Sequence, residues 1–168
     1  MALDATVGGT SANSYMTLAE ANTYMADRLH IEAWDDLDDK NQALILASSM
    51  LDWYVPWEGT KTATTQAMAW PRTSTTDADG EDIDTDIIPN LVKIATAELA
   101  LSIAGSDRTA DYELAGLKSI QAGSLKLQTD SYGRNDPPDA IPEKVWKILR
   151  PICNRTTGKV GIVRLGRA

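Results

Sequence analysis

One histidine and one cysteine among 168 residues leave little from which to build a reactive centre. Metal-dependent and nucleophilic chemistry draws on His, Cys and carboxylates held at fixed spacings. The lone Cys153 excludes an intramolecular disulfide and a cysteine-based zinc cage. His30 follows the first predicted helix near Glu32 with no nucleophile supplied to it, and reads as a surface or boundary residue. Gly105-Ser106-Asp107 and Gly123-Ser124 lack the flanks of a nucleophile elbow, and no glycine-rich phosphate loop of the usual spacing occurs. Asp77, Asp79, Glu81, Asp82, Asp84 and Asp86 offer oxygen ligands for a hard cation. Their spacing about Gly80 departs from the twelve-residue calcium loop, so the run reads as a solvated loop. Asn154-Arg155-Thr156 is a glycosylation sequon by pattern alone. The expectation is no catalytic residue, no metal, no cofactor and no enzyme activity.

Aromatic residues are the other candidates. The chain has five Trp, five Tyr and no Phe, and Trp34, Trp53, Tyr54, Trp57 and Trp70 bunch in its first half. Such rings stack on unpaired bases, but single-strand binding also needs cations along the backbone track. Between residues 30 and 75 the only bases are Lys40, Lys61 and Arg72, so core and interface packing is the expected role. Charge points the same way. The net charge is -8, yet Arg150, Arg155, Lys159, Arg164 and Arg167 make the chain from residue 150 onward +5 and leave -13 for residues 1–149. An acidic body repels nucleic acid and anionic headgroups, which predicts weak nucleic-acid affinity, while a basic tail seeks an acidic protein surface or phosphate.

The elements that must position these residues are mostly helical. Length and composition, 43% hydrophobic and 24% charged, fit one domain with a packed core. Thr17-Leu18-Ala19-Glu20 forms a capping box for a helix to about Arg28, with Leu18, Ala21 and Met25 inward. Ala43, Leu44, Ala47, Met50, Leu51 and Tyr54 recur by threes and fours after the acidic cluster Asp35 to Asp39, giving a second helix stopped by Pro56. A third helix, from Pro89 to Gly105, is apolar almost all round, so it is central or is buried again by a neighbouring subunit. Alternation at Leu125, Leu127 and Thr129 and the Ala122-Gly123 turn predict a β-hairpin at about 116–129, followed by a loop from Asp130 to Pro138. A last helix spans roughly Ala140 to Arg150 with Ile141, Val145, Ile148 and Leu149 inward. The expected fold class is mainly α: a small bundle of about four helices with a β-hairpin and extended N- and C-terminal arms. The expected boundaries are an arm at 1–15, a helical domain at 16–151 and a basic docking tail at 152–168. Leu91 to Ala104 is too short and too interrupted to span a bilayer, and Met1-Ala2-Leu3-Asp4 opens no secretory signal, so a cytosolic chain without a membrane partner is expected.

In this order Ser14-Tyr15, Tyr24, Arg28, Trp34, Leu51-Asp52-Trp53-Tyr54, Trp57-Glu58-Gly59, Gln66-Ala67-Met68-Ala69-Trp70-Pro71-Arg72, Ile88-Pro89 and Ala97-Glu98-Leu99-Ala100 resemble the head-to-tail adaptor (head completion, or connector) proteins of tailed bacteriophages. The resemblance covers about residues 13–150. Its most specific part is the structural motif Trp57, Gly59, Gln66, Trp70, Pro71 and Arg72. The acidic loop 77–86, residues 106–114 and the tail depart from it. The resemblance implies a structural virion protein: a homo-oligomeric ring, commonly of twelve copies, beneath the portal protein. Such a ring sits in the head-tail neck, is assembled in the bacterial host cytoplasm, and carries duplex DNA through its lumen without specific binding. It also implies that the C-terminal segment docks on the portal and that the opposite face receives the next neck protein, a stopper or tail-completion protein. Arg155, Lys159, Arg164 and Arg167 would then set electrostatic register while Val160, Ile162, Val163 and Leu165 fill apolar grooves. The same sequence group resembles proteins carrying a DnaT-like single-stranded-DNA-binding label, which is the alternative function; an unrecognised enzyme or metal protein is the third.

Overall fold

The computed structural model describes residues 2–105, 119–122, 125–128 and 140–154. It is mainly helical. Five α-helices run in the order α1 (Leu18–Ala26), α2 (Glu32–Asp35), α3 (Lys40–Tyr54), α4 (Asn90–Gly105) and α5 (Glu143–Leu149), and a 3₁₀ turn at Arg150–Ile152 closes the last of them. Two antiparallel ribbons accompany the helices. β1 (Thr60–Lys61) pairs with β2 (Arg72–Thr73), and β3 (Ser119–Ala122) pairs with β4 (Leu125–Gln128) with Ala122 opposite Leu125, which is the expected hairpin.

Local sequence accounts for the helix ends. The Thr17 hydroxyl accepts from the Glu20 N–H at 3.2 Å while the Glu20 carboxylate accepts from the Thr17 N–H at 2.7 Å, so two otherwise unpaired donors are satisfied. Asp39 performs the same service for α3, accepting from the Gln42 N–H at 3.1 Å. Pro56 cannot continue α3, and Val55 already leaves helical geometry at φ -94°, ψ 118°. α1 ends at Ala26, earlier than the sequence suggested, which frees Arg28 to reach across the body.

α4 is the axle. It packs on α1, α2, α3 and α5, and Val92, Ala95, Ala97, Leu99 and Ala100 have no exposed surface. α4 is thus the central helix that its all-round apolar pattern called for, with Leu91, Ile94 and Ile103 only partly buried. Leu44, Ala47, Met50 and Leu51 of α3 and Ile141, Val145 and Leu149 around α5 complete the core.

Two expectations are corrected and one element is new. The opening segment holds more core than its composition suggested: Ala12, Ser14, Tyr15 and Met16 are buried. It is folded on itself, with the Asp4 carbonyl accepting from the Asn13 and Ser14 N–H groups at 2.8 and 3.1 Å. Glu32–Asp35 forms a short helix that four residues are too few to announce by periodicity. Tyr54, read as part of the inward face of α3, is half exposed, because the chain turns at Val55 and buries Val55 instead. Among the described residues no helix is long and apolar enough to cross a membrane.

Candidate nucleic-acid interface

The segment after α3 is built round a corner. Trp70 is 1% exposed, stands edge-on to Trp57 with ring centroids 5.8 Å apart, and is joined to Pro71 by a cis peptide bond. Gln66 is buried behind it and uses its whole amide. Its Nε2 donates to the carbonyls of Met68 at 2.9 Å and Pro71 at 3.0 Å, and its Oε1 accepts from the Ala63 N–H at 3.0 Å. A buried amide so satisfied fixes the turn on both sides of the Trp-Pro pair. Arg72 then spans to the neighbouring loop, donating to the carbonyls of Glu58 at 2.5 Å, Gly59 at 2.6 Å and Ala69 at 3.1 Å. Gly59 has φ +67°, and a Cβ there would sit 2.0 Å from the Thr73 carbonyl oxygen, so only glycine fits beneath β2.

Asp52 ties this corner to the start of the chain. Its carboxylate accepts from the Tyr15 hydroxyl and, at 2.9 Å, from the Ala69 N–H. Burial pushes the Asp52 carboxyl above its ordinary value against the pull of those bonds and of Lys61 and Arg72. Burial, with Asp52 beside it, raises the Tyr15 hydroxyl well above the usual tyrosine range.

Next to the corner the aromatic set divides. Trp34 and Trp70 are core and Trp57 is half-buried, but Trp53 is 68% exposed and Tyr54 50%. Core packing therefore accounts for Trp34, Trp70 and Trp57 but not for Trp53 and Tyr54. The same edge of the fold receives the end of the described chain. Trp57 bridges Cys153 antiparallel, the Glu58 N–H donates to the Ile152 carbonyl at 3.3 Å, and the Asn154 N–H donates to the Pro56 carbonyl at 2.9 Å. Asn154, the last described residue, is thus bonded to Pro56, two residues after Tyr54 and about a hundred residues earlier in the sequence. That proximity was invisible in residues 30–75 taken alone.

A second charged cluster holds the helices together. Glu98 on α4, 6% exposed, accepts from the Tyr24 hydroxyl at 2.7 Å and Arg28 Nε at 2.6 Å, and pairs with Lys144 on α5. Burial opposes its ionisation, but Arg28, Lys144 and Tyr24 together hold its carboxyl down at about 2. Burial and the bond to Glu98 push the Tyr24 hydroxyl up to about 12. Every group in the knot is satisfied by another, which is the arrangement of a structural clasp.

Of the residues singled out from the sequence, Trp57, Gly59, Gln66, Trp70, Pro71 and Arg72 come together in the corner. Arg155, Lys159, Val160, Ile162, Val163, Arg164, Leu165 and Arg167 lie outside the described residues. His30 is exposed, and its carbonyl accepts from Arg28. The acidic residues of the 77–86 loop are exposed, with Asp77 Oδ1 accepting from the Asp79 and Glu81 N–H groups. Among the described residues no group of three or more His, Cys, Asp or Glu side chains is placed to hold a metal ion. Asp52 and Glu98 were missed as organising carboxylates; a lone acid inside an apolar helix face was the available signal for each.

The described residues form a small helical domain that carries two exposed aromatic side chains, Trp53 and Tyr54, at the end of α3, just before Pro56, to which Asn154 is bonded. Over residues 1–168 the chain matches the family described as "Putative DnaT-like ssDNA binding protein", and it belongs to that family. No curated protein and no solved structure matches it.

Proposed function

We propose that the chain binds single-stranded DNA, with Trp53 and Tyr54 as stacking surfaces and the cations of the C-terminal segment as contacts to the phosphate backbone. The exposure of those two rings at the end of α3, two residues before the Pro56 carbonyl that holds Asn154, carries the reading. A base stacked on an aromatic side chain contributes about 1–3 kcal/mol and tolerates any sequence, because every base has a π-face. Cations near the rings release counterions from the strand and make the affinity fall with salt. The family to which the chain belongs supports the same reading.

The test is fluorescence anisotropy of the full chain with a labelled oligothymidylate and with a duplex, at several salt concentrations. The strand is expected to bind more tightly than the duplex, with a slope of log affinity against log salt near -3, about -0.7 for each of four tail cations. Absence of single-strand binding at tens of micromolar protein and low salt, on the order of 50 mM, would overturn the proposal.

A second reading is favoured by the surface charge. Asp35, Asp36, Asp38 and Asp39, together with the 77–86 loop, leave a broad acidic exterior, which suits a conduit past which duplex DNA slides without sticking. Together with the sequence resemblance this supports a ring-forming head-to-tail adaptor. It would sit under a portal protein in a phage neck, with the tail docking on the portal and a further neck protein below. Electron micrographs of the protein mixed with its portal decide this reading: closed rings capping the portal support it, and unassociated subunits overturn it.

A further inference from the structure

The two ends of α3 carry opposite surfaces. At its C-terminal end the described chain finishes at Asn154, held to Pro56. At its N-terminal end lies an open cleft of about 450 Å³ between the α2–α3 turn and the last turn of α4. Its floor is apolar, formed by Leu37, Ala43, Leu46 and Ile103, and its rim carries the exposed carboxylates Asp36, Asp38 and Asp39. Asp39 is occupied in capping α3 and in holding the Gln42 amide at 2.7 Å, but Asp36 and Asp38 have no cation among the described residues within salt-bridge distance.

We propose that this cleft is the docking site for the chain's own residues 155–168, which fold back along α3 and seat their apolar residues between the acidic rims. Complementarity is the first argument. The segment interleaves Lys159, Arg164 and Arg167 with Ile162, Val163 and Leu165 and has no acid, so it offers cations to an acidic rim and branched side chains to an apolar floor. Reach is the second. The fifteen residues of α3 span about 22 Å at 1.5 Å per residue. An extended chain leaving Asn154 covers that distance in about seven residues, which brings Ile162, Val163 and Leu165 to the cleft. Tethering is the third, because a segment attached to the same body meets its site at an effective concentration in the millimolar range. Docked in this way, Lys159, Arg164 and Arg167 face the acidic rim instead of a strand, so the docked state competes with the phosphate contacts proposed above.

Limited proteolysis of the full chain with trypsin tests it, since Lys159 and Arg164 are cleavage sites within the proposed contact. The native chain is expected to be cut there at least about fivefold more slowly than Asp36→Asn/Asp38→Asn/Asp39→Asn, in which asparagine keeps the cap of α3. A second variant, Ile162→Ser/Val163→Ser/Leu165→Ser, leaves the cleavage sites and the body intact and is expected to lose the same protection. Protection should not change with protein concentration. Equal cleavage rates in all three chains would overturn the proposal. So would protection that grows with concentration alongside dimers in sedimentation, because the occupant would then be a second copy.

Discussion

Trp70 and Trp53 lie seventeen residues apart in one chain, yet the fold treats them oppositely. Trp70 is buried edge-on to Trp57, inside a turn whose backbone carbonyls at Met68, Ala69 and Pro71 are held by the Gln66 amide and by Arg72. Trp53 sits on the last turn of α3 with two-thirds of its surface in water and Tyr54 half exposed beside it. A buried indole strengthens the fold by the apolar area it removes from solvent; an exposed one contributes little to stability and leaves its face free for a ligand. Residue type is thus a poor guide to role here, and position relative to the corner decides it.

That contrast is broken most strongly at Trp70. Trp70→Ala is expected to cost about 3–5 kcal/mol in chemical denaturation, and an unchanged midpoint would mean the corner is not core. Glu98→Gln comes next and separates the two buried carboxylates. The folded-state value of about 2 lies below the ordinary 4.5, so the ionised form favours folding. This contribution, on the order of 2–3 kcal/mol, is complete above about pH 4.5 and is lost as the pH falls toward 2. The wild type should therefore exceed Glu98→Gln in stability at neutral pH and converge with it near pH 2. Asp52 shifts the other way, upward through burial, so Asp52→Asn should leave the acid limb of the stability curve in place. Gly59→Ala should cost about 1–3 kcal/mol for its backbone angle alone, with the contact to the Thr73 carbonyl added; unaltered stability would remove the positive φ from the account. Trp53→Ala is the smallest, within about 0.5 kcal/mol of wild type.

Much of the scaffold was legible because its signals are local. The Thr17–Glu20 box, the Asp39 and Pro56 boundaries of α3, the periodic faces of α3 and α4 and the paired strands Ser119–Ala122 and Leu125–Gln128 are each written in a few neighbouring residues. What escaped depends on contacts distant in sequence. Nothing near Asn13 announces that its neighbours Ser14 and Tyr15 enter the core, because the Tyr15 N–H finds Ser48 and the Tyr15 hydroxyl finds Asp52. The aromatic edge escaped for the same reason. A count of cations between residues 30 and 75 argues against a nucleic-acid surface, and the bonds that join Ile152, Cys153 and Asn154 to Pro56, Trp57 and Glu58, just after Trp53 and Tyr54, link residues a hundred positions apart. The Gln66, Trp70 and Arg72 pattern was readable as a motif, but its physical basis, an amide and a guanidinium spent on backbone carbonyls, needed the three-dimensional arrangement.

The central claim is that the exposed pair, not the buried corner, meets the DNA strand. Its most direct test measures oligothymidylate affinity and melting temperature on the same samples of wild type and Trp53→Ala/Tyr54→Ala. The affinity is expected to be at least about tenfold weaker, the loss of one stacked base or more, with a melting temperature within a few degrees of wild type. An unchanged affinity in a variant that folds normally would contradict it.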